Sequence, residues 1–229
     1  CRGYRNLDKL QELLKPIIAY VDKKELGLPE KKRIKVDLKQ DKPEDLVMLE
    51  KVYRMPTVRL KKAGFTSKPQ VRAMMQLITS TAECKVNYIL DNFDQKRVLV
   101  FSQYVEALKA VQDKLTEKGK RVLLYTGEMY MAQRLEVLEL WRNGDYDVLL
   151  LSVMGARYGL NLIEAADVVL LEPPPSLAIL EQVEDRAHRI GQTSQVTSHL
   201  LLWGESDYDR LQSIVDKQEA IEKVYSFLE

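Results

Sequence analysis

Cysteine is scarce in this chain, with only Cys1 and Cys84 in 229 residues and no CxxC pair or Cys/His cluster. That excludes a disulfide scaffold and a cysteine-held zinc site, and it predicts free thiols in a reducing compartment. Histidine is equally sparse. Neither His188 nor His199 has a second ligand or a nucleophile near it in sequence, so both are read as structural and no metal site is expected. No apolar run approaches the roughly 20 residues that span a bilayer, and no charged-then-apolar leader opens the chain, so no membrane partner is expected. The first residue is Cys1 rather than Met, which reads as a piece of a longer polypeptide. No internal repeat or low-complexity tract occurs. A GxxxxGK[ST] loop is also missing. The only Gly-Lys pair, Gly119-Lys120, runs into Arg121 and precedes a strand, so nothing in the sequence cradles the β- and γ-phosphates of a nucleotide.

What is present suits a globular domain with a full core: 45% hydrophobic and 30% charged residues. Net charge is +1, but its distribution is lopsided. Residues 1–72 hold 19 Lys and Arg against 10 Asp and Glu, and the remainder holds 16 against 24. The basic third permits a nucleic-acid surface, although a solvated charged face is the more usual account of any single lysine cluster.

From residue 97 the pattern is regular. Val98–Phe101, Val122–Tyr125, Val148–Leu151, Val168–Leu171 and His199–Trp203 are short Val/Leu-rich runs that barely alternate, as in strands buried on both faces. Between them, Val105, Leu108, Val111 or Gln112, and Leu115 recur at helical spacing before Gly119. Met131, Leu135, Leu138 and Trp141 do so before the stop signal Asn143-Gly144. Alternating strands and helices predict an α/β fold, a RecA-like parallel sheet with helices on both faces. Residues 1–80 read as a mostly helical extension, with a helix through Leu10, Leu13, Leu14 and Ile17, a break at Leu28-Pro29, a short strand at Arg33–Leu38 and a helix at Pro43–Tyr53. Helices are also expected at Gln70–Thr79 and Lys85–Phe93. The lobe proper is placed at 81–204. Leu211, Ile214, Val215, Ile221, Val224 and Leu228 mark a closing helix within 205–229.

In an open parallel sheet the functional loops lie at the carboxyl ends of the strands. Here those ends carry Ser102-Gln103, Thr126-Gly127-Glu128, Ser152 through Asn161, and Glu172-Pro173-Pro174-Pro175. Small hydroxyls and exposed backbone N–H groups suit phosphate oxygens, although each segment alone is also an ordinary turn or cap. Glu172 sits where a magnesium-binding strand would end, but without a phosphate loop it is not read as a ligand. The run QVEDRAHRIGQT at 182–193 is more specific. It sets Arg186 and Arg189 three residues apart, which on a helix aims both guanidiniums at one target. A permanently charged planar donor stabilises a transferring phosphoryl group. The alternative is a surface helix whose arginines pair with Glu181, Glu184 and Asp185.

The order VLVFSQ, LLYTGE, LLLSVMGARYGLNL, VVLLEPPP, QVEDRAHRIGQT resembles the second ATPase lobe of the SWI/SNF-like, superfamily-two family of DNA translocases. The likeness covers about residues 70–210, and its wording is most similar to the annealing-helicase and fork-remodelling branch. It implies that Arg186 and Arg189 are arginine fingers, and that Gln182 and Gln192 orient their segment and couple it to nucleotide. Gly159 and Asn161 would link nucleotide state to DNA grip, while Ser102, Gln103, Thr126, Gly127 and Ser152 would touch DNA phosphates. The implied cofactor is ATP with Mg2+, held mainly by a first lobe of the same polypeptide, and the implied partner is double-stranded DNA read without sequence preference. The fragment alone would be inactive. The setting would be intracellular and DNA-associated, in the nucleus of a eukaryote or the cytoplasm of a prokaryotic or phage system. Two words depart from the family. Gly155-Ala156-Arg157-Tyr158 replaces a glycine-rich AGG, making Arg157 an added phosphate contact or a loop stiffener, and Pro173-Pro174-Pro175-Ser176 replaces Trp-Asn-Pro. A strand-separating helicase and a catalytically silent scaffold are the rival readings.

Overall fold

The computed structural model describes residues 27–157 and 159–226, with side chains as far as residue 218 apart from Val58 and Arg157. Cys1, the helix expected through Leu10 and Ile17, Tyr158 and the last apolar positions of the closing helix lie outside that description. Six strands form one sheet in the order β1-β6-β5-β2-β4-β3. They are β1 (Lys31–Asp37), β2 (Val98–Ser102), β3 (Val122–Tyr125), β4 (Val148–Ser152), β5 (Asp167–Leu170) and β6 (Val196–Leu202). Every pairing is parallel. The helices are α1 (Glu44–Arg54), the single turn α2 (Thr57–Leu60), α3 (Lys68–Ser80), α4 (Glu83–Asn92), α5 (Val105–Glu117), α6 (Met131–Asn143), α7 (Leu177–Glu184) and α8 (Glu205–Ser226).

Successive strand residues alternate between two apolar layers, as the pleat requires. Leu99, Phe101, Leu149, Leu151, Val168 and Leu170 face α6 and α7, meeting Val137, Leu138, Trp141, Leu180 and Val183. Val98, Val100, Val148, Leu150, Val169 and Leu201 face α4 and α5, meeting Val86, Ile89, Leu108, Val111 and Leu115. Because both faces are covered, β2 and β4 are buried throughout, which is why their sequences do not alternate. On α6 the expected stripe needs correction. Leu138 and Trp141 are buried together with Val137, but Met131 and Leu135 face solvent at 68% and 60% exposure. Gly144 ends α6 in the left-handed conformation (φ +90°), the stop expected of Asn143-Gly144.

The expected junction at residue 80 falls within continuous packing. β1 pairs along its length with β6, and a third apolar cluster joins Leu46, Leu49, Leu60, Val71 and Met75 to Trp203. Beneath that cluster Lys85, fully buried, donates to Asp207 Oδ2 at 2.6 Å and to the Leu171 carbonyl. Asp207 also accepts from Thr79 Oγ1 and the Trp203 amide. Burial pushes the Asp207 carboxyl upward against the pull of Lys85. A second clamp fixes β1 to α7. Arg33 donates through Nε and Nη2 to the two Glu184 oxygens, each at 2.8 Å, and Lys31 reaches Glu184 at 2.7 Å. Burial works to raise the Glu184 carboxyl, but the hydrogen bonds from Arg33 and Lys31 outweigh it and hold the group below its ordinary range.

Both clamps have measurable consequences. Removing Lys85 alone leaves Asp207 buried without its cation, so Lys85→Met should cost about 3–5 kcal/mol, and adding Asp207→Leu should recover much of it. Urea unfolding of the three chains checks this. A carboxyl depressed in the folded state stabilises above its unfolded pKa and loses that contribution as pH falls through the folded one. Glu184→Gln should therefore cost about 1–3 kcal/mol at pH 7. The gap from the unsubstituted chain should close on acidification, as read by melting temperature against pH.

Candidate functional site

The two arginines of the QVEDRAHRIGQT run do share a target, but not by lying on one helix. α7 ends at Glu184, and its bonds tighten to i→i−3 at Arg186 and Ala187. The Arg186 carbonyl, which a continuing helix would need, instead accepts the Leu162 amide at 2.9 Å. Arg186 and Arg189 thus sit in the turns after α7, and both edge a cavity of about 750 Å³ also lined by Asn161, Gln182, His188 and two acids, Glu181 and Asp185.

Arg186 is 7% exposed, and its Nε has no partner. Burial lowers its affinity for the proton, the neighbouring Arg189 charge adds to that, and Asp185 opposes both. The acids expected to neutralise the pair on a surface helix are committed elsewhere. Glu184 and Glu181 take Arg33, and Asp185 takes Lys31. Among the described residues no carboxylate forms an ion pair with Arg186 or Arg189. A desolvated guanidinium offset only through space by Asp185 is costly, and an anion in the cavity relieves that cost.

The arginine turn is stitched to the loop after β4. Arg189 Nη1 donates to the Gly159 and Leu160 carbonyls at 3.2 and 3.1 Å. Gln192, 8% exposed, spends its amide on the Ile163, Ala165 and Ala187 carbonyls, while its Oε1 accepts the Ser194 amide. Gln192 therefore fastens the turn from behind, whereas Gln182 and Asn161 face the cavity. His188 Nε2 meets the Pro29 carbonyl at 2.7 Å, and because a carbonyl only accepts, that nitrogen carries the proton. His199 bridges Tyr88 and Asp167. Among the described residues no group of three or more His, Cys, Asp or Glu could hold a metal ion.

The residues expected to touch phosphates divide differently. Ser102 is buried, and its hydroxyl donates to Glu172 at 3.0 Å. Ser152 is buried, and its hydroxyl accepts the Gly155 amide at 3.0 Å. Neither hydroxyl faces solvent, so both serve their own loops in this structure. Thr126 is buried too, whereas Gly127 is exposed. Gln103 is half-buried and engaged by Arg210 at 2.7 Å. Two residues named in the sequence take roles that it did not assign them. Glu172, fully buried, collects Ser80, Ser102 and the Gln103 amide, and burial pushes its carboxyl up despite them. Gly155 lets the loops after β3 and β4 touch, since a Cβ there would stand 2.9 Å from the Gly127 nitrogen and 2.6 Å from Ser152 Oγ. The backbone of Arg157 ends a 3₁₀ turn, Gly155–Arg157, and its side chain is outside the description.

Comparison with known proteins agrees with this geometry. Residues 81–191 match the helicase conserved C-terminal domain. The human DNA annealing helicase and endonuclease ZRANB3 is 30% identical over 221 residues, 88% of this chain and 20% of that protein. A probable global transactivator of Orgyia pseudotsugata multicapsid polyhedrosis virus is 35% identical over 140 residues, 60% of this chain and 26% of its own length. The chain thus spans about a fifth to a quarter of these two relatives. In fold, it superposes on the Sulfolobus solfataricus SWI2/SNF2 ATPase core, solved in complex with dsDNA, with a TM-score of 0.57 at 20% identity, over 85% of this chain and 46% of that one. With its ordered strand-end words and its parallel sheet, the chain carries a helicase conserved C-terminal domain over residues 81–191 and is similar to SWI/SNF-like ATPases in fold.

Proposed function

We propose that this lobe completes the ATPase of an ATP-driven translocase on double-stranded DNA, with Arg186 and Arg189 as its arginine fingers. The observation that carries the reading is Arg186, desolvated, without an ion-pair partner among the described residues and facing a cavity it shares with Arg189. The residues present fit an anionic phosphoryl group and supply no loop to cradle a whole nucleotide. The phosphate loop and most Mg2+ contacts are therefore assigned to a preceding lobe of the same polypeptide. When bound, ATP supplies the phosphoanhydride bond whose hydrolysis drives the cycle.

This chain contributes charge and position. Arg186, its backbone pinned by Leu162, offers a guanidinium whose field gains most where phosphoryl charge develops. Arg189 adds a second donor set while anchored to the 159–160 carbonyls. Gln182 and Asn161 line the same cavity and orient what enters it. The loop around Gly159 and Asn161 moves with the arginine turn, because Leu162, Arg189 and Gln192 bind the two together, and this coupling passes nucleotide state toward the DNA side. There we assign the exposed Gly127 turn, supported by Thr126 and Gly155, together with Gln103 and Arg157, to the phosphate track; Ser102 and Ser152 shape it from beneath. Backbone phosphates carry no sequence information, so little base preference follows. Residues 1–80 lead in from the first lobe, 81–204 carry the motifs and 205–229 close the fold. The protein would act wherever its host keeps DNA, the nucleus of a eukaryote or the cytoplasm of a prokaryotic or phage system.

Two outcomes test this. The 229-residue chain should release no phosphate from ATP with excess duplex DNA, and turnover near that of a complete enzyme would overturn the half-site assignment. In the complete protein, Arg186→Lys keeps the charge but loses the planar fork. It should lower DNA-stimulated kcat by on the order of 10²-fold, about 3 kcal/mol, while leaving ATP binding nearly intact. Arg189→Lys should act similarly. Steady-state kinetics of both variants decide the point, and near-parental rates in both would make these arginines ordinary surface charges.

A further inference from the structure

A second cavity, of about 350 Å³, opens between α1, α3 and α8 on the helical layer, away from the arginine turn. Its walls carry Tyr53, Lys68, Arg72, Gln76, Tyr104 and Arg210, three cations and no acid. Among the described residues no carboxylate is paired with Lys68, Arg72 or Arg210. Lys68 and Arg72 both lie over the Tyr53 ring, at 5.5 and 5.3 Å from its centroid, and Arg72 also donates to the Tyr53 hydroxyl. Both cations are thereby held toward the opening by an uncharged group that leaves their charge intact.

At the floor of the cavity Gln76 is 1% exposed. Its Oε1 accepts from the Tyr104 hydroxyl and from Arg210 Nη1, the latter at 2.6 Å. A guanidinium only donates, so this bond fixes the amide's orientation and leaves Nε2 on the other side. Nε2 is buried and has no acceptor. Arg210 spends Nη1 on Gln76 and Nη2 on Gln103 Oε1 at 2.7 Å, two of its five donor hydrogens. The cavity therefore offers a guanidinium fixed by two glutamines with donors to spare, and two further cations. An oxyanion among these cations accepts charge-assisted hydrogen bonds from the spare guanidinium donors while neutralising the surrounding charge.

We propose that this pocket binds a phosphate group, the chemistry shared by a nucleic-acid backbone and a free phosphate. Arg210 ties its floor to Gln103 at the carboxyl end of β2. In its DNA arm the proposal thus rests on the translocase reading and extends the phosphate track onto α3; in its free-anion arm it stands without that reading.

The test uses the 229-residue chain in two arms. Inorganic phosphate is titrated while the Gln76 side-chain amide resonances are followed by NMR, and saturable shifts there are expected, reduced in Lys68→Ala/Arg72→Ala. A short random-sequence duplex is titrated at two ionic strengths by fluorescence anisotropy. Each phosphate contact contributes about −0.9 to the log–log salt slope, so the double variant should flatten the slope by about 1–2 and weaken low-salt binding roughly 3- to 10-fold. A flattened slope supports the site and names the DNA backbone as its source. Gln76 shifts with an unchanged slope support it with a free phosphate group as the source. Unmoved Gln76 resonances together with an unchanged slope overturn it. If the parental chain binds no duplex at all, the translocase reading fails, and the Gln76 response decides the pocket independently. Because that response is read on the unsubstituted chain, misfolding of a variant does not remove the test.

Discussion

The clamp of Arg33 and Lys31 on Glu184 governs the chemistry of this lobe. Glu184 lies two residues before Arg186, and an arginine in that position on a surface helix would ordinarily find its counter-charge among such neighbours. By taking Glu184 in a bidentate pair, the edge strand engages the buried carboxylate nearest in sequence to Arg186, while Glu181 and Asp185 stay at the cavity edge. The same contact holds α7 against the sheet and so fixes where the chain leaves the helix. Fold stability and electrostatic readiness thus come from one interaction. It also explains why a strand formed before residue 40 matters to a site built after residue 180. The N-terminal segment carries the cations, and its pairing with β6 aims them.

The turn that follows α7 behaves as one piece with the loop after β4. Three independent ties join them, through a backbone bond at Leu162, a guanidinium at Arg189 and an amide at Gln192. Displacing one segment without the other would leave several buried carbonyls and a buried amide unsatisfied, each costing about 1–3 kcal/mol. A movement of the arginines is therefore inherited by Gly159 and Asn161. Coupling here needs no long pathway, because the two elements share their hydrogen bonds.

The sheet was legible because strands buried on both faces leave uninterrupted Val/Leu runs, and those runs occur in the observed strands within a few residues. Turn chemistry at Asn143-Gly144 and the helix register of Leu108, Val111 and Leu115 were legible for equally local reasons. The shared target of Arg186 and Arg189 was legible from their spacing, but its geometry was not, since α7 stops when Leu162, distant in sequence, captures a carbonyl. Lys85, Glu172 and Asp207 were illegible as a group. A charged residue in a helical or strand-end word reads as exposed, and only the tertiary stacking of α3, α4 and α8 shows that these three meet in the interior. The partners of Ser102 and Ser152 were illegible for the same reason. A small hydroxyl at a strand end suits a phosphate, yet it suits a buried carboxylate or a neighbouring amide as well.

That buried group bears on where nucleotide can go. In an open parallel sheet, ligands enter the crevice at the switch in strand order, which here falls between β2 and β5, at the carboxyl ends of both. The crevice is filled. Glu172 occupies it and takes Ser80, Ser102 and the Gln103 amide as its partners, with Lys85 nearby offsetting part of its charge. A phosphate brought there would meet a carboxylate whose donors are already spent, and would have to displace it at the expense of several buried hydrogen bonds. The usual ligand position in this fold is thus closed by the lobe itself. Two groups of described cations that form no ion pair with a described carboxylate lie instead at the rim, in the arginine turn beyond α7 and in the pocket on α3. Both places suit phosphate oxygens presented from outside, and neither could enclose a nucleotide alone. A lobe so arranged is suited to closing on what another surface holds, as the proposed function requires.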